Sequence, residues 1–332
     1  MNIVFFIGNG FDIAQGLKTK YSDFYKSYKK STPVNETEKK IIASIDESQD
    51  TWSDLEATLG VFTQELNNPG EFIDAYESLN LKLREYLKGQ ESLFLQESIQ
   101  RYRNELANPF VDLSYSNQVK FYDLYKSETK VATVNVISYN YTNVFERAIG
   151  YQYQPITLKS SFFPFDLQVN NVYKVHGSLQ GTILMGVNDA SQIANKVFAE
   201  DMDVCDFFIK PRLNSALGYY FDQFALRSIE SADLIVVYGM SIGKTDEIWW
   251  KSVAQRMLSS SCQLLIFKHL ESPIPAELGW RAGKVIRQTK THFARVAEIS
   301  DNLDAPVMNR ITVSLSGGLF NPNYLRADPI VQ

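Results

Sequence analysis

Asn2-Ile3-Val4-Phe5-Phe6-Ile7-Gly8-Asn9-Gly10-Phe11-Asp12 is the stretch on which the fold turns. Its run Ile3–Ile7 is β-branched, aromatic and apolar throughout, the composition of a buried strand. Gly8-Asn9-Gly10 breaks the run, and Phe11-Asp12-Ile13-Ala14 resumes with helical character. Strand, glycine-bearing turn and helix in that order form the first unit of an α/β sheet.

The same alternation returns later. Residues 131–138, 172–175 and 182–185 read as short strands, 263–268 as another, and Leu234-Ile235-Val236-Val237-Tyr238 as a strand buried on both faces. Helical patterns fill 213–231, 246–258 and 277–289. Between the first unit and these strands, from about residue 35 to 128, the spacing is three and four. Trp52, Leu55, Leu59, Phe62 and Leu66 form one such series, and Phe72, Tyr76, Leu79, Leu83 and Leu87 a second. Leu93, Leu95, Ile99 and Tyr102 make a third, so four or five helices are predicted there. The expected fold class is α/β. A doubly wound, Rossmann-like parallel sheet, from residues 1–30 plus 130–332, is interrupted by an acidic helical insertion at 31–129.

Charge supports that division. The 332 residues carry a net charge of −5, yet 31–129 holds 9 basic and 18 acidic residues, and the remainder 24 and 20. A strongly acidic segment makes a poor nucleic-acid groove, because phosphate binding draws on Lys and Arg. No apolar run reaches the roughly 20 residues of a membrane span, and 3–7 is too short for a signal peptide. Two cysteines, Cys205 and Cys262, build neither a disulfide scaffold nor a thiolate zinc site. A cytoplasmic protein without a metal is expected, with no membrane partner and nucleic acid disfavoured.

Four places carry chemistry. The first is the turn Gly8, Asn9, Gly10, Phe11 and Asp12, where glycines and a helix N-terminus suit a phosphate. Phe11-Asp12-Ile13 stands where a dinucleotide fingerprint has its third glycine, so a purely structural turn stays open, with Asp12 a first-turn acid. The second is Ser138-Tyr139-Asn140-Tyr141-Thr142-Asn143 at a strand's carboxyl end, where an amide holds a ribose hydroxyl or caps a helix. The third is His176 in Val175-His176-Gly177, placed for acid–base work or serving as a structural histidine; His269 and His292 show no chemical partner. The fourth is Gly239-Met240-Ser241-Ile242-Gly243-Lys244-Thr245-Asp246, a second glycine-bearing turn in which Thr245 or Asp246 suits a helix cap. Its Gly-Lys-Thr is no P-loop, since position 238 is Tyr where glycine is required.

Taken together and in this order, these pieces resemble the bacterial abortive-infection AbiH family, associated with phage defence. The resemblance also takes in Gly16-Leu17, Tyr21-Ser22-Asp23-Phe24, Trp52-Ser53-Asp54-Leu55-Glu56 and Met185-Gly186-Val187-Asn188-Asp189. More distantly the chain is similar to sirtuins and to sirtuin-like NAD-cleaving defence domains. The sirtuin asparagine falls on Asn140, its catalytic histidine on His176 and its cofactor turn on Gly239, Met240 and Ser241. Thr142 in place of an acid, the missing four-cysteine module and the altered first turn argue against protein deacylation.

The resemblance implies a sirtuin-like site that takes NAD as substrate or ligand. His176, Asn140 and Asp12 are the expected catalytic residues; Gly8, Asn9, Gly10 and Phe11 hold the pyrophosphate, and Gly239, Met240 and Ser241 the adenosine half. The expected partners are a small-molecule nucleotide, a phage-derived trigger and a second copy of the chain. Two rivals remain: a sensor that binds without turnover, and a toxin nuclease built on Lys210-Pro211-Arg212 or the Arg281, Lys284 and Arg287 row.

Overall fold

The structure, a computed structural model, describes residues 1–332 apart from 97, 129–130, 271, 273, 300–304, 316–317 and 323–332. The expected end of the helical segment, at 129–130, lies outside the described residues.

The chain starts with β1 (Asn2–Ile7), α1 (Gly10–Ala14) and α2 (Tyr21–Tyr28). Five helices follow: α3 (Glu36–Glu47), α4 (Leu55–Phe62), α5 (Pro69–Ser92), α6 (Ile99–Ala107) and α7 (Tyr115–Tyr125). The chain returns to the sheet through β2 (Ala132–Ser138), α8 (Val144–Ile149), β3 (Ile156–Leu158) and β4 (Leu167–Lys174). Next come α9 (Lys196–Glu200), α10 (Met202–Phe208), α11 (Lys210–Ala216) and α12 (Phe221–Glu230). The rest is β5 (Leu234–Tyr238), α13 (Glu247–Ser259), β6 (Gln263–Phe267), α14 (Trp280–Val296), α15 (Ala305–Asn309) and β7 (Ile311–Ser314).

Among the described residues, seven strands make one mixed sheet in the order β3-β4-β2-β1-β5-β6-β7. Every neighbouring pair is parallel except β3 and β4. The central strands are buried on both faces, which explains their unbroken apolar runs. Ile3, Phe5 and Ile7 of β1 point into a core shared with α6, α7 and α8. Val4 and Phe6 point into the opposite core, closed by α12, α13 and α14. A third core joins α2, α3, α4 and α5 to the stretch 179–209 and contains no strand. The five helices from α3 to α7 thus divide: α3–α5 join the third core, whereas α6 and α7 lie on the sheet. Among the described residues no helix is long and apolar enough to cross a membrane.

Three sequence expectations need correction. Residues 182–185 are not a strand; Ile183 makes a single bridge to Gly177. Ile183 and Met185 are instead drawn into the helical core, where Tyr76 donates its hydroxyl to the Met185 carbonyl at 2.6 Å. The helix expected over 213–231 is two helices, because Gly218 takes a left-handed φ of 66° between them. Leu93 and Leu95 are exposed in the link between α5 and α6, so their apolar spacing marks no buried face.

Candidate functional site

Register brings the four motifs together. Ile7 of β1 stands beside Ser138 of β2 and Tyr238 of β5, and Ser138 beside Lys174 of β4. The residues after each strand therefore emerge at one carboxyl edge, where open α/β sheets bind ligands. A cavity of about 220 Å³ opens there. Gly8, Asn9, Asp12, Asn140, His176, Gly239, Met240 and Ser241 line it, while Leu83, Leu87, Asp54 and Glu56 close it from the helical segment. Gly10 and Phe11 are not in the lining. Phe11 is fully buried against Phe145 and Phe320.

The glycines serve contact between the two turns. A Cβ on Gly10 would stand 2.4 Å from the Gly239 Cα, and one on Gly8 2.7 Å from the Gly239 carbonyl oxygen. The N–H of Gly8 donates to Tyr238 O, that of Gly10 to Gly239 O and that of Phe11 to Gly8 O. These contacts fit the structural turn that the sequence leaves open beside the phosphate grip. Three of its amides are already bonded within the chain, and the missing side chains make room for backbone.

Asp12 is the buried node of the site. It accepts from Asn140 Nδ2 at 2.9 Å and from Thr142 Oγ1 at 2.5 Å. Asn140 therefore does not cap the following helix, and Asn143 at the start of α8 also makes no side-chain cap. Burial pushes the Asp12 carboxyl up to about 7, against the bond from Thr142 and the charge of Lys174. A raised carboxylate pKa means that the folded state holds its proton more tightly than the unfolded chain. Stability is full below the ordinary value of 3.8 and declines as pH rises through 7. Asp12→Asn keeps the shape and removes the charge. Between pH 5 and pH 8 the wild type should lose about 2–3 kcal/mol that the variant retains. Urea unfolding of both proteins at the two pH values measures it; parallel losses would exclude Asp12 as the titrating group.

His176 sits at the other end of the cavity, edge-on to Tyr139 with ring centroids 5.2 Å apart. Its Nε2 meets Asp246 Oδ1 at 3.1 Å. With Nε2–H donated to a carboxylate, Nδ1 carries the lone pair. Asp246 opens α13 but makes no cap bond; its side chain is spent on His176. Behind it, buried Lys210 Nζ lies 2.8 Å from Glu56 Oε2 and 3.8 Å from Asp246 Oδ1. Glu56 also accepts from the Tyr141 hydroxyl at 3.0 Å. Burial acts to raise the Asp246 pKa, but His176 and Lys210 bring it below the usual range. Burial likewise acts to lower that of Lys210, and Glu56 with Asp246 raises it. Asp54, the N-cap of α4, has its carboxyl raised by burial.

Sequence reasoning missed most of this second group. Asp246 was read as a cap, Lys210 as part of a basic pair, and Asp54 and Glu56 only as letters of a family motif. Lys210 is inside and ion-paired, while Arg281, Lys284 and Arg287 lie on an exposed face of α14. His292 does have partners, Ile242 O at 2.7 Å and Arg295 at 3.0 Å, but lies outside this cavity. Among the described residues no three His, Cys, Asp or Glu side chains are grouped to hold a metal ion.

A family model described as "Bacteriophage abortive infection AbiH" matches residues 4–268, well over half of the chain. No curated protein matches it.

Proposed function

Because the chain belongs to the bacteriophage abortive infection AbiH family, which implies a part in anti-phage defence, we propose that it acts there by cleaving NAD+ to nicotinamide and ADP-ribose. The supporting observation is that His176 with its Asp246, and Asn140 with its Asp12, line one cavity at the sheet's carboxyl edge. On this reading the sheet is Rossmann-like and the site sirtuin-like. Residues 1–30 with 130–332 form the nucleotide-binding domain, and 31–129 is its insertion. On the same reading the protein is cytoplasmic, and a phage-derived trigger and a second copy of the chain are its expected partners.

The step is hydrolysis of an N-glycosidic bond. The bond from ribose C1′ to nicotinamide breaks, its electrons leave with nicotinamide, and a water oxygen bonds to C1′. His176 Nδ1 takes the water's proton and returns it to solvent. Asn140 holds a ribose hydroxyl, and the carboxylates around the cavity stabilise the developing oxocarbenium charge. Gly8 and Asn9 shape the wall beside Gly239, Met240 and Ser241, which face the adenosine half.

Purified protein should release nicotinamide from NAD+, read by chromatography. His176→Ala and Asn140→Ala should each lower the rate about 100-fold, the scale of losing a positioned acid–base group. An unchanged rate in His176→Ala would assign the base elsewhere.

A second reading, a sensor without turnover, draws on one observation: Leu83, Leu87, Asp54 and Glu56 wall the cavity. A bound ligand would touch the helical segment directly. Binding of NAD+ with no nicotinamide released under any trigger would favour it.

A further inference from the structure

We infer that the cavity at the sheet's carboxyl edge recognises the nucleoside part of its ligand, a cationic or neutral N-riboside, and takes no phosphate. The inference deepens the reading above and rests on it for the choice of ligand.

Charge is the first argument. Asp12, Asp54, Glu56 and Asp246 all line the cavity, and His176 is its only basic lining residue among those described. Lys210 stands behind two of the carboxylates and is committed to them. A phosphate entering here would meet carboxylates and no free lysine or arginine, the side chains that ordinarily bind it. A pyridinium riboside would meet Glu56 and Asp246, which Lys210 offsets only in part, while Asp12, pushed up to about 7, adds part of a charge near neutral pH.

Orphaned polar atoms are the second. Asn140 is 5% exposed, and its Oδ1 is buried without a hydrogen-bond partner; so is the Tyr139 hydroxyl on the adjacent residue, 7% exposed. Both residues line the cavity. Buried polar atoms are rarely left unpaired, since each costs about 1–3 kcal/mol. An acceptor and a hydroxyl on neighbouring residues that both line the cavity suit the hydroxyls of a sugar.

Size is the third. About 220 Å³ lies below the roughly 300–1,000 Å³ of pockets that enclose drug-sized ligands, and a dinucleotide is larger than those. The turn that would hold a pyrophosphate has its Gly8, Gly10 and Phe11 amides already bonded.

Calorimetry on the full-length protein tests the inference with nicotinamide riboside, NAD+ and inorganic pyrophosphate as probes, alongside a nicotinamide-release assay. We expect the riboside to bind within about tenfold of NAD+, and pyrophosphate at least about 100-fold more weakly. Asp54→Asn, which still caps α4, should weaken the cationic riboside about five- to tenfold and leave the neutral dihydronicotinamide riboside unchanged. NAD+ binding and cleavage with a riboside about 100-fold weaker would overturn the inference and leave the cleavage reading intact. A riboside that binds with neither compound cleaved would support the inference and overturn cleavage. Binding by none of the probes would overturn both.

Discussion

Gly239→Ala is expected to destabilise the protein by about 2–5 kcal/mol. Gly239 has φ +72°, where an alanine Cβ costs about 1–2 kcal/mol. The added carbon would also lie 2.7 Å from the Phe11 amide nitrogen and 2.9 Å from the Gly10 Cα. Those neighbours are backbone and cannot swing aside, so overpacking adds about 1–3 kcal/mol. Gly16→Ala is the control: it shares the positive φ, at 82°, but its Cβ would meet nothing within 4 Å. Urea midpoints should put Gly16→Ala within about 1–2 kcal/mol of wild type and Gly239→Ala well beyond it. Equal losses would mean that the contact between the turns carries no energy.

Lys210→Met should cost about 3–5 kcal/mol, the scale of breaking a buried ion pair from one side. Glu56 is 5% exposed and would keep only the Tyr141 hydroxyl among its present side-chain partners. Asp246 would keep His176 alone. Adding Glu56→Gln to Lys210→Met should return a good part of the loss, because no unpaired charge then remains at position 56. Denaturant unfolding of the two single variants and the double variant closes the cycle. Strict additivity would show that the pair is not coupled.

Most of the sheet could be read from the sequence because its central strands are buried on both faces. A strand such as 234–238 leaves no room for a polar residue, and its composition declares it. β3 was not visible: three residues, one of them exposed, carry no periodicity. Residues 182–185 had strand composition but were claimed by a helical core, since apolar side chains do not specify their partner. At the site, the turns were found because glycine and asparagine at strand ends are a local signal. The His176 and Lys210 partners were not, since Asp246 lies 70 residues and Glu56 154 residues away. Contacts at that range leave no spacing to read. For the glycines both a phosphate turn and a structural turn stay open in the sequence; in the fold their room is taken by each other's backbone.

Those same separations bear on how the protein is made. Synthesis delivers Glu56 first, His176 much later, then Lys210, and Asp246 last. A chain interrupted before residue 246 carries the imidazole without the carboxylate that orients it, and β5 with its turn arrives only just ahead of that point. Fragments from abandoned translation therefore lack a finished pocket, whatever else they fold.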